Sequence, residues 1–212
     1  MMRKYRIIGK GGLFSIIREV MMNQAEYDGY YDDIQGNPLD GYLGKLTDLN
    51  SEDNVDYFIA IGGEHNMLLR AKILINLTHQ NRIRMNCISP ISYIFKNALL
   101  GSGNIILPFS HIGSQCRIGS GNIIFSHVNI EHDSVIGNNV NIAPGVKTGG
   151  GCTIGNNVFI GVGSTISDSV SIGNNTLIGA GSLVLKDIPE NSLVYGSPAK
   201  VIGVNTKYRE IY

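Results

Sequence analysis

The chain has 212 residues, enough for one large or two small domains with a real core. Its 17 Lys and Arg balance its 17 Asp and Glu, so no net field draws it to nucleic acid or to an acidic membrane. Three cysteines without metal-type spacing argue against a disulfide framework and fit a reducing compartment; with no membrane-length apolar run and no signal-type opening segment, a cytoplasmic location is expected.

In chain order, residues 5–9 read as a buried strand, and residues 14–22 as a helix with apolar spacing. Tyr30-Tyr31-Asp32-Asp33 closes a second strand on acids. Residues 56–62 make the strongest strand of this half; a helix then runs from Glu64 to about Thr78, and a last strand covers 82–88. Strand, glycine turn, helix and strand ending in acids is the order of a small Rossmann-like α/β domain, assigned to residues 1–85. The loop Ile8-Gly9-Lys10-Gly11-Gly12 suits a turn where backbone approaches a phosphate, and Asp32 and Asp33 are placed to meet a ribose or base. Glycine turns and acidic turns also occur without any ligand.

From about residue 88 the period becomes six. Ile88, Ile94, Leu100, Ile106, Ile112, Ile118, Ile124, Ile130, Ile136 and Ile142 follow without a break; Thr148 interrupts, and Ile154 to Val184 resume. Sixteen of these seventeen positions are aliphatic, which neither a helix nor simple alternation predicts. Four residues further on, small or β-branched residues such as Cys116, Ser134, Val146 and Cys152 recur as a second inward register. Hexapeptide periodicity marks a parallel β-helix, assigned to residues 86–188, with a tail over 189–212. In this setting the cysteines are small core residues.

One corner breaks the pattern. Glu131 occupies a slot that usually holds glycine, and His132 and Asp133 follow it. Corners face water and accept polar residues, so a solvated corner is one reading. An imidazole between two acids is also a general base whose tautomer and basicity a carboxylate can fix.

An Ile-Gly-x4 repeat with this Glu131-His132-Asp133 corner, preceded by the glycine-loop domain and followed by Tyr195-Gly196-Ser197-Pro198-Ala199-Lys200, resembles the PglD/NeuD-type sugar acetyltransferases. The resemblance covers nearly the whole chain. It implies an α/β N-terminal Rossmann-like domain followed by a left-handed parallel β-helix. The implied reaction moves acetyl from acetyl-CoA to the 4-amino group of a nucleotide-linked 4-amino-4,6-dideoxyhexose, with UDP or dTDP preferred over GDP. His132 is then the general base, supported by Asp133 and Glu131, and no acetyl-enzyme forms. Asn141 stands where the family usually has a histidine near the acetyl carbonyl, and an amide donates a hydrogen bond without carrying charge. Backbone around Ala143, Gly150, Gly161 and Ala180 lines the pantetheine groove, and Lys200 approaches the nucleotide end of CoA. Gly9, Gly11, Gly12, Asp32, Asp33 and Gly62 hold the nucleotide sugar, the domain over 189–212 closes the CoA site, and the prisms form homotrimers. Leu13-Phe14 stands where family members often carry His-Gly.

Two other readings use the same repeat. Sialic acid or another sugar hydroxyl is an alternative acceptor. A γ-carbonic-anhydrase-type metal site would use His127 and His132, but its third ligand falls at Ile91, so no metal is expected.

Overall fold

The computed structural model describes residues 2–34, 36–49, 55–206 and 208. Near the N-terminus, β1 (Lys4–Ile8), β2 (Glu26–Tyr31), β3 (Tyr42–Gly44) and β4 (Asp56–Ile59) form a parallel sheet in the order β3-β2-β1-β4. Strand side chains alternate in direction, and both faces are covered. Tyr5, Ile7 and Phe58 pack against α1 (Gly12–Met21); Ile8, Tyr57 and Ile59 pack on the side of α2 (Met67–His79). Leu13, Phe14, Ile17 and Met21 give α1 its buried stripe.

Several expected boundaries differ: α1 begins at Gly12 rather than Phe14, and β4 ends at Ile59 rather than Gly62. A 3-10 turn, Glu64–Asn66, precedes α2. Residues 82–86 are not a strand: Tyr57 N donates to the Arg82 carbonyl at 3.0 Å, and Asp56 Oδ1 accepts from Arg84 N at 2.8 Å, so this stretch follows β4 irregularly.

Seventeen two-residue strands then run from β5 (Cys87–Ile88) to β21 (Leu183–Val184). They stack into three parallel sheets, each strand pairing with the one 18 residues on, as His111 does with Asn129. The six-residue period has a simple cause. Each strand turns its second residue, the aliphatic one, into the prism, where Ile112, Ile130, Ile142 and Ile160 are fully buried. Cys116 and Cys152 fill the second inward register, and burial raises both thiols. Corner residues such as His127 and Asp133 adopt left-handed backbone, φ 60 and 59°, which asparagine and aspartate tolerate best.

The three faces differ in their outward residues. On the first face these are Cys87, Ile105, Ile123, Asn141 and Leu177, all buried, and Phe159, half-buried; Cys87, Ile105 and Ile123 pack into the α1 cluster of the α/β unit. The second and third faces carry exposed Tyr93, Lys147, Arg117, Thr153 and Ser171.

Arg70 of α2 locks the two parts together. Its guanidinium is fully buried without a carboxylate partner among the described residues, and burial lowers its pKa to about 10. Instead it donates to the carbonyls of Ile59 (2.8 Å), Ile61 (2.9 Å) and Gly121, and to Asn139 Oδ1 (3.1 Å). Ile59 ends β4 and Ile61 lies in the loop after it, whereas Gly121 and Asn139 belong to the prism.

After the last coil, β22 (Ser192–Gly196) extends the first face and β23 (Ala199–Val204) folds back antiparallel on it. The chain then returns to the α/β unit, where the Tyr208 hydroxyl donates to the Glu64 carbonyl at 2.8 Å. Residues 207 and 209–212 of the expected closing tail lie outside the described residues. Among the described residues no helix is long and apolar enough to cross a membrane.

Candidate active site

Two separate places carry chemistry. The first is an open cleft of about 920 Å³ at the C-terminal ends of β1, β2 and β4. Gly9, Lys10, Gly11, Gly12, Asp32 and Gly62 line it, so the expected glycine loop and one expected acid meet there. Gly9 has φ +92°, and a β-carbon on it would stand 2.8 Å from Ile61 Cγ1. No side chain caps α1, its first turn holds no acid, and Gly11, Gly12 and Leu13 line the cleft, so the positive end of its dipole lies at the cleft wall. Asp32 ties the cleft together, accepting from Lys10 N at 2.6 Å and Ile34 N at 2.8 Å. Asp33 does not line the cleft. Its Oδ1 accepts from Leu46 N at 3.0 Å, at the 3-10 turn Leu46–Asp48.

The second place is the corner between β12 (Asn129–Ile130) and β13 (Val135–Ile136), which join the second and third faces. His132 Nδ1 lies 2.7 Å from Asp133 Oδ2, and the imidazole is exposed. This hydrogen bond is the main reason the His132 pKa is raised above the usual histidine value. With Nδ1–H donated to the carboxylate, Nε2 carries the free lone pair. Glu131 points elsewhere, accepting from Asn129 Nδ2 at 2.8 Å. The ring rests above the next coil: a β-carbon on Gly150 would lie 2.6 Å from His132 Cε1 and 2.7 Å from Nε2. Only glycine leaves that space for the imidazole.

These two places lie on opposite sides of the prism. The cleft belongs to the unit covering the first face, whereas the His132 corner joins the other two. The remaining expected residues divide the same way. Ala143, Gly161 and Ala180 sit at the corner between the first and second faces, and Gly150 at the His132 corner. Asn141 is on the first face, 1% exposed, and neither its Oδ1 nor its Nδ2 makes a hydrogen bond among the described residues. Its Nδ2 lies 4.0 Å from where a Gly62 β-carbon would be, so this amide stands beneath the cleft and away from His132 of its own chain. Lys200 is exposed on β23, opposite Tyr195. Among the described residues no group of three or more His, Cys, Asp or Glu is placed to hold a metal, and His127 stacks on Phe109 at 5.0 Å.

Sequence reasoning missed Phe125, which brings the prism into the wall of the cleft. The signal was present, because Phe125 occupies the after-aliphatic slot that glycine usually fills, as Glu131 does one hexad later.

A model described as bacterial transferase hexapeptide (six repeats) matches residues 151–186, and one described as hexapeptide repeat of succinyl-transferase matches residues 111–144. No curated protein matches the sequence. PerB from Caulobacter crescentus, solved with CoA and GDP-perosamine, is 26% identical over 96% of this chain and 99% of its own, with a TM-score of 0.86. WeeI from Acinetobacter baumannii is 25% identical over 94% of this chain and 100% of its own, with a TM-score of 0.81. The acetyltransferase domain of PglB from Neisseria gonorrhoeae, solved with acetyl coenzyme A, shares the fold at 24% identity and a TM-score of 0.83 over 95% of this chain and 100% of its own. With hexapeptide repeats on both sides of the His132 corner and end-to-end likeness to structures that include a GDP-perosamine N-acetyltransferase, this chain is a hexapeptide-repeat acetyltransferase similar to the PglD/NeuD-type sugar acetyltransferases.

Proposed function

We propose that the chain transfers acetyl from acetyl-CoA to the 4-amino group of a nucleotide-linked 4-amino-4,6-dideoxyhexose, in the cytoplasm where both substrates are made, for surface glycan synthesis. The carrying observation is His132, exposed, oriented by Asp133 and seated over Gly150. In this reading the α/β unit of residues 1–85 is the nucleotide-sugar domain. The diphosphate lies at the start of α1, against Gly9, Gly11, Gly12 and Gly62, and Asp32 faces the nucleoside. Acetyl-CoA runs along the corner of Ala143, Gly161 and Ala180 towards Lys200, with residues 189–212 closing that end. The unpartnered Asn141 amide is the donor reserved for the acetyl carbonyl.

Because the cleft and His132 face away from each other, the site forms between copies. One copy supplies the nucleotide sugar and its neighbour supplies His132. Exposed Tyr93 and Phe95 pack together on the prism, exposed Phe109 stacks on His127, and these rings suit burial in a homotrimer of left-handed prisms. The amine nitrogen attacks the thioester carbonyl, and its proton passes to Nε2 of His132. A C–N bond forms, the C–S bond breaks, and the CoA thiolate leaves and is protonated.

The assay is CoA release with matched UDP-, dTDP- and GDP-linked 4-amino sugars. The family resemblance favours a pyrimidine carrier; the PerB complex with GDP-perosamine makes GDP its direct competitor. Acetylation of free sugars in preference to every nucleotide sugar contradicts the reading. The same assay carries a pH prediction. A base works only when neutral, and Asp133 raises the His132 pKa, so kcat/KM falls on the acid side at a higher pH than for an ordinary histidine. Asp133→Asn keeps the left-handed corner, lowers that pKa, moves the acid limb to lower pH and reduces turnover roughly tenfold. An unmoved limb means that another group is titrating.

A further inference from the structure

The cleft has two chemically distinct ends. The uncapped start of α1, with Gly9, Lys10, Gly11 and Gly12, suits the diphosphate. The end that reaches the prism is walled by Leu13 and Phe125: Leu13 lies beside Gly62 over Ile123 and Asn141, and Phe125 is the prism side chain in that wall. Phe125 is half-buried, packed with both the prism core and the α1 cluster, so its ring is held in place. The next rung of the same corner is Ala143, buried and small, so the aromatic ring is local to the level where the cleft meets the prism.

We propose that Phe125 is a specificity-determining residue, selecting a 6-deoxy sugar by packing against its C6 methyl group. This rests on the proposed nucleotide-sugar reading and assigns it a selecting side chain. A sugar bound by its diphosphate at the start of α1 extends towards the prism, because the acetyl acceptor must reach the corner groove. At that end a methyl group meets apolar surface. A C6 hydroxyl would lose water there and find no partner on the ring.

The test compares one nucleotide carrying either 4-amino-4,6-dideoxyhexose or the matching 4-amino-4-deoxyhexose with its C6 hydroxyl. Both kcat/KM by CoA release and Kd by titration calorimetry are measured. The unaltered protein favours the 6-deoxy compound by about 10–100-fold in both. Phe125→Ser brings the ratio close to one, and Phe125→Leu, which keeps an apolar wall, preserves it. A ratio unchanged in Phe125→Ser overturns the proposal, as does loss of the preference in Phe125→Leu. The Kd ratio remains readable in a variant that no longer turns over. Failure of the unaltered protein to act on any nucleotide amino sugar is a separate result, and it strikes the function rather than Phe125.

Discussion

Replacing His132 with alanine lowers turnover by about 10²–10⁴-fold, the usual contribution of a positioned general base. Folding is untouched, because the ring is exposed and its hydrogen bond is to the neighbouring residue, Asp133. The loss falls on kcat rather than on the KM for the nucleotide sugar, since His132 is remote from the diphosphate end of any cleft it serves. Circular dichroism with steady-state kinetics checks both parts. Near-normal turnover in a folded His132→Ala protein removes the base from the account. Gly150 belongs to the same argument, since the imidazole occupies the volume a β-carbon would need.

The largest effect on stability is expected at Arg70. Arg70→Met keeps most of the side-chain volume and deletes the donors to Ile59, Ile61, Gly121 and Asn139. Buried acceptors left without donors cost about 1–3 kcal/mol each and are not additive, so a loss of about 3–5 kcal/mol is expected. For a chain of this size that lowers the melting temperature by about 10 °C. Ile61 leads directly into the Gly62–Gly63 rim of the cleft, so the KM for the nucleotide sugar rises as well. A melting temperature within a degree of the unaltered protein shows that the guanidinium is not the lock.

The prism was legible because burying one residue per two-residue strand, three times per coil, imposes a period of six that no other regular structure has. The His132 corner was legible as a fault in that period. The covered face was not read, although its mark lies in the chain: outward Cys87, Ile105, Ile123 and Leu177, set at multiples of 18 residues, are apolar where the other faces show Lys147, Arg117 and Thr153. Asp33 looked equivalent to Asp32, since nothing in adjacent acids tells which one turns to a distant amide, here that of Leu46. Arg70 was hidden for a similar reason. A helix with arginine in its second turn reads as solvated, and only the packing of α2 between sheet and prism buries it.

The central claim is that one copy's cleft works with its neighbour's His132. The measurement is activity in mixed assemblies of two variants, each inactive alone. His132→Ala keeps its cleft. Gly12→Asp keeps His132 and places a carboxylate in open space at the start of α1, where it repels the diphosphate without straining the helix. Unfolded together in equal amounts and refolded, they recover about a quarter of the unaltered activity, the share of sites pairing a good cleft with a good histidine by random assortment. Mixed assemblies that form and stay inactive contradict the claim, because a site built within one chain cannot be repaired by a neighbour.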